Sequence, residues 1–233
     1  MVGEGRGLAP RGGDRRKRGR RRARGSSLVG PRFIAFEGLD GSGKTTQATL
    51  FAQALRERGY AVVETREPGG TDLGEQIRDL VLARRPGTIG LAAEAQLFAA
   101  ARSELVREVI SPALTDGHWV VSDRFIDSSL AYQGAARGLG IDAVLALNEI
   151  GLNGLFPDRA VVMDVPLEAA AQRRSATSDR MEAEGPGFHA AVGAGYRLLA
   201  ERFPDRVLAI PGTGTPEEVH ERVLERLTQD GLL

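Results

Sequence analysis

The sequence predicts an α/β fold built around a parallel sheet. From Pro31 onward, short β-rich runs alternate with longer helical patterns, which is typical of repeated βαβ units. Glycine turns such as the one at Gly38 separate the runs. No internal repeat or low-complexity linker interrupts this body, so we expect one domain over residues 32–233.

The expected elements follow in order along the chain. Strands are expected at about 33–36, 61–65, 119–122, 160–165 and 207–210. The clearest helices are expected at about 45–58, 73–83, 92–114 and 216–229. Gly59 ends the first helix because glycine readily adopts a left-handed conformation. Pro112 predicts an interruption of the third helix, since proline has no N–H to donate.

The first 31 residues differ from the rest in charge. They hold ten basic and two acidic side chains, a net charge of +8, whereas the remainder carries −8. The segment is glycine-rich and poor in large apolar residues, so we expect it to be disordered. We interpret it as a solvated extension, or as the product of a start codon upstream of a true start near Val29. A tether to nucleic acid is disfavoured, because the arm lacks stacking aromatics and the body is acidic.

Composition excludes several kinds of site. The chain has no cysteine, which rules out disulfides, thiolate metal sites and thiol nucleophiles. Its three histidines, at 118, 189 and 220, never stand at metal-ligand spacing. No apolar run approaches the ~18 residues of a membrane helix. We therefore expect a soluble cytoplasmic protein that makes no membrane contact.

The strongest motif follows the first strand. It has the pattern G-x-x-x-x-G-K-[ST] between a predicted strand and a predicted helix, which is the context of a phosphate-binding P-loop. In such a loop, backbone N–H groups surround phosphate oxygens, Lys44 adds positive charge and the Thr45 hydroxyl reaches Mg²⁺. The residues expected to bind ATP are Gly38, Leu39, Asp40, Gly41, Ser42, Gly43, Lys44, Thr45 and Thr46.

A second chemical feature lies at the end of the third strand. Asp123 is placed where an open parallel sheet binds its ligands, and Arg124 follows directly. A carboxylate there can hold Mg²⁺ through water, and the adjacent guanidinium can clamp an acceptor phosphate with its planar fork. The pair favours phosphoryl transfer to a small acceptor.

Several segments in order carry a resemblance to a known family. They are Glu37-Gly38-Leu39-Asp40-Gly41-Ser42-Gly43-Lys44-Thr45-Thr46, Thr65-Arg66-Glu67-Pro68-Gly69-Gly70-Thr71, Asp123-Arg124-Phe125, Ser128-Ser129-Leu130-Ala131-Tyr132-Gln133 and Pro157-Asp158. From about residue 32 to the C-terminus the chain resembles thymidylate kinases. The resemblance implies transfer of the γ-phosphoryl group of ATP to dTMP with Mg²⁺, in dTTP biosynthesis. It also implies a P-loop nucleoside monophosphate kinase domain with five parallel strands, a mobile lid and a homodimer.

The resemblance further implies a binding site for dTMP. Phe98 would stack on thymine, while Arg102 and Gln133 would hydrogen-bond the edge of the base. Asp40 would lie near the 3′-hydroxyl and phosphate of the acceptor. The dTMP site as a whole would comprise Glu67, Arg78, Phe98, Arg102, Arg124, Ser129, Tyr132 and Gln133. The metal site would comprise Thr45, Asp123 and Glu67.

The charge for catalysis must come from beyond the P-loop, which carries no arginine. The resemblance is to the bacterial type, whose basic lid supplies it. Here Arg173 and Arg174 begin the lid segment, and Asp179-Arg180-Met181-Glu182 matches the family pattern. Ser175 to Ser178 depart from this pattern. The sequence therefore does not decide which of Arg173, Arg174 and Arg180 reaches the transferred phosphate. The catalytic residues expected are Lys44, Asp40, Arg124, Arg173 and Arg174.

Two other functions remain open on the sequence. A P-loop kinase for another nucleotide or nucleoside would direct Arg124 or the base-edge donors toward a different acceptor. A non-catalytic ATP-binding regulator with a nucleic-acid-binding arm would show salt-sensitive binding and no turnover. The acceptor-site motifs and the acidic body both weigh against the regulator.

Overall fold

The computed structural model describes residue 30 and residues 32–84, 89–173 and 179–233. The basic arm, apart from Gly30, and Arg174 lie outside the described residues. The predicted α/β fold is confirmed. Five parallel strands form one sheet in the order β2-β3-β1-β4-β5. The strands are β1 (Phe33–Gly38), β2 (Val62–Arg66), β3 (Trp119–Asp123), β4 (Arg159–Asp164) and β5 (Val207–Pro211).

Helices connect the strands and cover both faces of the sheet. They are α1 (Lys44–Glu57), α2 (Asp72–Leu82), α3 (Leu91–Leu105), α4 (Ser111–Thr115), α5 (Ile126–Ser129), α6 (Ile141–Leu152), α7 (Leu167–Gln172), α8 (Pro186–Arg202) and α9 (Pro216–Gln229). The described residues include two π-helical stretches, Val106–Ile110 between α3 and α4 and Leu130–Ala136 after α5. Within the described ranges, no helix combines the length and apolar character needed to cross a membrane.

The alternation of side chains along β1 explains the two cores. Every residue of β1 is buried, since helices cover both of its faces. Phe33 and Ala35 pack into one core, with side chains of α8 such as Leu199. Ile34 and Phe36 pack into the other, with side chains of α1 such as Phe51 and of α9 such as Val223. Burial of a Phe side chain such as Phe36 stabilises the fold by roughly 1.5–3 kcal/mol.

The helix expected around Pro112 is continuous rather than broken. The chain is helical from Leu91 to Thr115, and the π-helical stretch Val106–Ile110 immediately precedes Pro112. A π-helical turn shifts the hydrogen-bond pattern by one residue, so the missing N–H of proline no longer breaks the helix. Pro112 lies in the first turn of α4, directly after this π-helical stretch.

The topology brings three chain segments to one edge of the sheet. β1 lies between β3 and β4, so the loop after β1 and the end of β3 are neighbours. Asp123 of β3 is in register with Phe36 of β1 and with Arg66 of β2. The carboxyl ends of the three strands therefore place the P-loop, Asp123 and Glu67 close together.

Candidate active site

The P-loop connects β1 to α1 and depends on glycine at its closest approach to the rest of the protein. Gly41 has φ +84° and lies against α7, where an added Cβ would stand 2.2 Å from the carbonyl oxygen of Ala170. Gly43, at φ 92°, is the N-cap of α1 and offers no side chain to its first amides. The backbone amides and helix dipole at this point are suited to bind an anion.

Lys44 and Asp40 form a pair inside the loop. Lys44 is buried, and its Nζ lies 3.2 Å from Oδ1 of Asp40 and 3.5 Å from the carbonyl oxygen of Leu39. Burial, together with the nearby positive charge of Arg124, lowers the pKa of Lys44. Burial opposes ionisation of Asp40, but Arg124 and Lys44 outweigh it and hold the pKa of that carboxyl well below its usual range.

Two carboxylates at the strand ends have an oxygen without a hydrogen-bond partner in the part of the chain that the structure describes. Thr45 donates its hydroxyl to Oδ2 of Asp123 at 2.5 Å, while Oδ1 of Asp123 is buried without a hydrogen-bond partner among the described residues. Oε1 of Glu67 is likewise buried, and within the described ranges it has no partner. Burial raises the pKa of Glu67 to about 7 despite the opposing effect of Arg102. Unpaired buried carboxylate oxygens suit a hard cation such as Mg²⁺.

Arg124 has a backbone conformation that is rare for a residue with a side chain. Its φ is 71°, in the left-handed region. Hydrogen bonds hold it there, because its N–H donates to Phe36 O at 2.9 Å and its carbonyl accepts from Ser122 Oγ at 2.6 Å. The guanidinium then donates to Gly38 O and lies 2.5 Å from Asp40 Oδ1. Arg124 is thus aimed into the site by the backbone.

A buried carboxylate that motif reasoning missed supports this loop. Glu37, fully buried at the end of β1, accepts from the N–H of Phe125 at 2.7 Å and from the hydroxyls of Ser128 at 2.6 Å and Tyr196 at 3.0 Å. Burial and the negative charge of Asp127 raise the pKa of Glu37 to about 7, against the opposing effect of Arg124. The sequence feature that could have identified Glu37 is its position directly before the P-loop.

Arg102 is held by the protein on several sides. It is 2% exposed, and its Nε lies 2.9 Å from Glu67 Oε2. Its Nη1 donates to Asn148 Oδ1 at 2.7 Å and its Nη2 to Ser129 Oγ at 2.8 Å. Asn148, which the sequence interpretation also missed, is a polar residue buried within the apolar helix α6. Its Nη2 also lies 2.8 Å from Glu67 Oε2, and these contacts together fix the plane of the Arg102 guanidinium.

Gln133 and Tyr132 lie on the π-helical stretch that follows α5. Gln133 donates from Nε2 to Glu94 Oε1 at 2.9 Å. Tyr132 donates to Asp40 Oδ2 at 3.2 Å, and the Arg124 guanidinium lies over its ring at 5.3 Å from the centroid. Burial raises the pKa of Tyr132, so the phenol stays a hydrogen-bond donor.

The lid segment is described at Arg173 and from Asp179 onward. Arg173 follows α7 beside the P-loop, since an added Cβ on Gly41 would stand 3.4 Å from the Cβ of Arg173. Arg180 is directed elsewhere, because its Nε donates to Val81 O at 2.8 Å and its Nη2 lies 2.7 Å from Glu94 Oε2. Of the two described arginines in question, Arg173 is therefore the one beside the P-loop.

One cavity of about 200 Å³ unites these groups. Its walls come from the P-loop, the β2–α2 loop, α2, α3, the end of β3 with the segment after it, and the lid segment from Asp179 onward. The predicted site residues that line it are Asp40, Lys44, Thr45, Glu67, Arg78, Phe98, Arg102, Asp123, Arg124, Ser129, Tyr132 and Gln133. It thus joins a phosphate cradle to a pocket with one aromatic wall and several buried polar groups.

Known proteins resemble the chain over most of its length. The family model described as thymidylate kinase matches residues 36–223. A thymidylate kinase of Rhizorhabdus wittichii is 48% identical over 200 residues, covering 84% of this chain and 96% of the relative. One from Caldanaerobacter subterraneus is 45% identical over 199 residues, covering 85% and 95%. The crystal structure of thymidylate kinase from Ehrlichia chaffeensis superposes with a TM-score of 0.69 at 34% identity, covering 85% of this chain and 99% of that one.

Proposed function

The chain belongs to the thymidylate kinase family and phosphorylates dTMP to dTDP with ATP in nucleotide biosynthesis, and from this premise we propose which of its residues carry the reaction. The proposal depends on one observation: Lys44 of the P-loop and Arg124, directly after β3, line the same cavity. Donor and acceptor phosphates bound to these two groups would lie next to each other, as direct transfer requires.

The donor phosphates bind at the start of α1. The loop of residues 38–46 surrounds them with backbone N–H groups, and Lys44 contacts their terminal oxygens. Arg173 adds positive charge from the far side of the loop, where it already lies beside Gly41. Arg174, outside the described residues, stays a second candidate for this role. Charge neutralisation of this kind is the main source of rate in phosphoryl transfer.

The acceptor binds in the remainder of the cavity. Arg124 clamps its phosphate, with Arg78 as a second donor whose Nη1 is already fixed by Pro68 O at 2.8 Å. Phe98 stacks on the base, and Arg102 and Gln133 contact its edge. Tyr132 and Ser129 line the sugar pocket, with Asp40 near the 3′-hydroxyl.

Mg²⁺ fits the buried carboxylate oxygens at the strand ends. Thr45, Asp123 and Glu67 would hold it, directly or through water, and it would supply positive charge to the donor phosphates. The described residues hold no group of three or more His, Cys, Asp or Glu side chains placed to bind a metal by themselves. A site with few protein ligands is what Mg²⁺ shared with nucleotide phosphates requires.

We also propose a homodimer and a cytoplasmic location. Ile150 on α6 is 95% exposed and Leu147 on the same helix is 38% exposed, an apolar surface suited to a second copy of the chain. Residues 32–233 form the proposed kinase domain. The basic arm has no role in the proposed chemistry.

The test is ADP production by the purified chain with Mg-ATP and one acceptor at a time, with and without residues 1–31. The acceptors are dTMP, dUMP, UMP, CMP, AMP and GMP. Strong selectivity for dTMP, unchanged by truncation, supports the proposed assignments. Turnover only with another acceptor would overturn the roles of Phe98, Arg102 and Gln133.

A further inference from the structure

Glu94 is a buried acid behind the proposed base pocket. It lies in the first turn of α3 and is 0% exposed. It touches the cavity through Gln133, a cavity-lining residue whose Nε2 donates to Glu94 Oε1 at 2.9 Å. A fully buried carboxylate is costly unless its charge is compensated.

Two arginines compensate the charge of Glu94. Arg137 places Nε 3.4 Å from Oε1, and Arg180 places Nη2 2.7 Å from Oε2. Arg137 also pairs with Glu184 at 2.6 Å. Oε1 of Glu94 is thus a hydrogen-bond acceptor, since it accepts from Arg137 Nε at 3.4 Å as well as from Gln133 Nε2.

This chemistry determines the orientation of the Gln133 amide. A glutamine amide has a donor on one side and an acceptor on the other. Because Oε1 of Glu94 is an acceptor, the NH₂ group of Gln133 faces it. The reverse orientation would place two acceptors against each other in a buried site. The carbonyl oxygen Oε1 is therefore the atom that Gln133 offers to a ligand in the cavity.

We propose that Glu94 is a positioning residue for base selection, which holds Gln133 with its carbonyl oxygen toward the base so that the site favours pyrimidines carrying an N3–H. This inference rests on the proposed binding of dTMP in this cavity. Thymine and uracil carry N3–H, which can donate to Gln133 Oε1. Cytosine has a lone pair at N3, so an acceptor would face an acceptor and the complex would lose affinity.

The test measures kcat/KM for dTMP and for dCMP in a double-mutant cycle of Glu94→Gln and Gln133→Met. A glutamine at position 94 can donate as well as accept, so it no longer imposes one orientation on Gln133. We expect Glu94→Gln to lower the dTMP-to-dCMP ratio about tenfold, the size of one hydrogen bond. In the Gln133→Met background the same change should leave the ratio unaltered. Glu184→Gln, which removes a partner of Arg137 but leaves both the Arg137–Glu94 pair and the Gln133–Glu94 bond in place, should preserve the wild-type ratio.

The outcomes separate the inference from the function on which it rests. A merely structural loss would lower both kcat/KM values in proportion and leave their ratio unchanged. An unchanged ratio in folded Glu94→Gln, or an equal fall with and without Gln133, would overturn the role of Glu94 while dTMP kinase activity stands. If the wild type does not phosphorylate dTMP, the proposed function itself fails. If Glu94→Gln does not fold, Glu94→Asp keeps the charge but withdraws the acceptor, and its ratio should also fall.

Discussion

Arg124 and Asp40 form an ion pair within the cavity, with Nη2 of Arg124 2.5 Å from Oδ1 of Asp40. Both side chains are largely buried, at 13% and 19% exposure, so the pair is screened less by solvent than a surface pair. The left-handed backbone of Arg124 and its bond to Gly38 O hold the guanidinium in place before any ligand binds. In the proposed complex, the acceptor phosphate would therefore meet a guanidinium group that is already oriented.

Asp123→Asn tests the metal site. The substitution keeps the shape of the side chain but removes its charge, including the unpaired Oδ1. We expect the Mg²⁺ concentration for half-maximal activity to rise on the order of 10–100-fold. A Mg²⁺ titration of the initial rate measures it. Asp164→Asn, at the carboxyl end of β4, is the matched control, and an unchanged midpoint in Asp123→Asn would argue against this ligand.

Gly41→Ala tests the P-loop. The new Cβ would collide with the carbonyl oxygen of Ala170 at 2.2 Å, so the loop must shift and ATP affinity should fall at least about tenfold. Gly59→Ala is the control, because Gly59 has a similar φ of +89° but open space around it. It should cost about 1 kcal/mol of stability and leave ATP affinity intact. Equal ATP affinity in the two variants would contradict the prediction.

Glu37→Gln tests the raised pKa of that carboxyl. Its pKa is about 7 in the folded protein against 4.5 ordinarily, so folding favours the protonated form. The associated stability is complete below pH 4.5 and is lost as the pH rises through about 7. In this range the group lowers the free energy of unfolding by up to about 1.4 kcal/mol per pH unit.

Urea unfolding at several pH values between 4.5 and 7 measures this effect. The wild type should lose stability relative to Glu37→Gln as the pH rises. The groups that face Glu37 are Arg124, Asp127 and Tyr196. Exposed Glu201→Gln should behave like the wild type, and parallel pH profiles for wild type and Glu37→Gln would refute the assignment.

Ile150→Asp tests the proposed dimer. A charge at this 95% exposed apolar position should disfavour burial against a second copy and shift the chain toward monomer. Light scattering after size exclusion gives the mass. Glu149→Lys, at a neighbouring exposed position, is a control for surface charge alone. A wild type that is monomeric at all concentrations would contradict the proposal.

The sequence predicted the fold because its signals were local. The five strands and the helix of residues 216–229 follow from periodicity, and the P-loop from its glycines. The response of the chain to Pro112 could not be predicted. Both a break in the helix and a π-helical turn can accommodate the missing N–H of proline. In the structure, the π-helical turn occurs, and Ile110 within it packs in the core.

The sequence predicted only those candidate site residues that belong to a recognisable motif. Asp123 and Arg124 were identified because they are adjacent and end a strand. Glu94 and Asn148 were not, because each contacts the site through a residue distant in sequence: Glu94 accepts from Gln133, and Asn148 accepts from Arg102. Such pairings are created by the topology, and composition or spacing does not reveal them.

The most direct test of the account is calorimetric binding of both nucleotides to Arg124→Ala, with the exposed Arg202→Ala as control. Because Arg124 is proposed to bind the acceptor phosphate, dTMP affinity should fall at least about a hundredfold in Arg124→Ala. This is the loss expected for a buried, charge-assisted, bidentate contact. ATP affinity should stay near that of the wild type, and turnover of dTMP should be abolished. Loss of ATP binding with dTMP affinity intact would contradict the central claim that Arg124 clamps the acceptor.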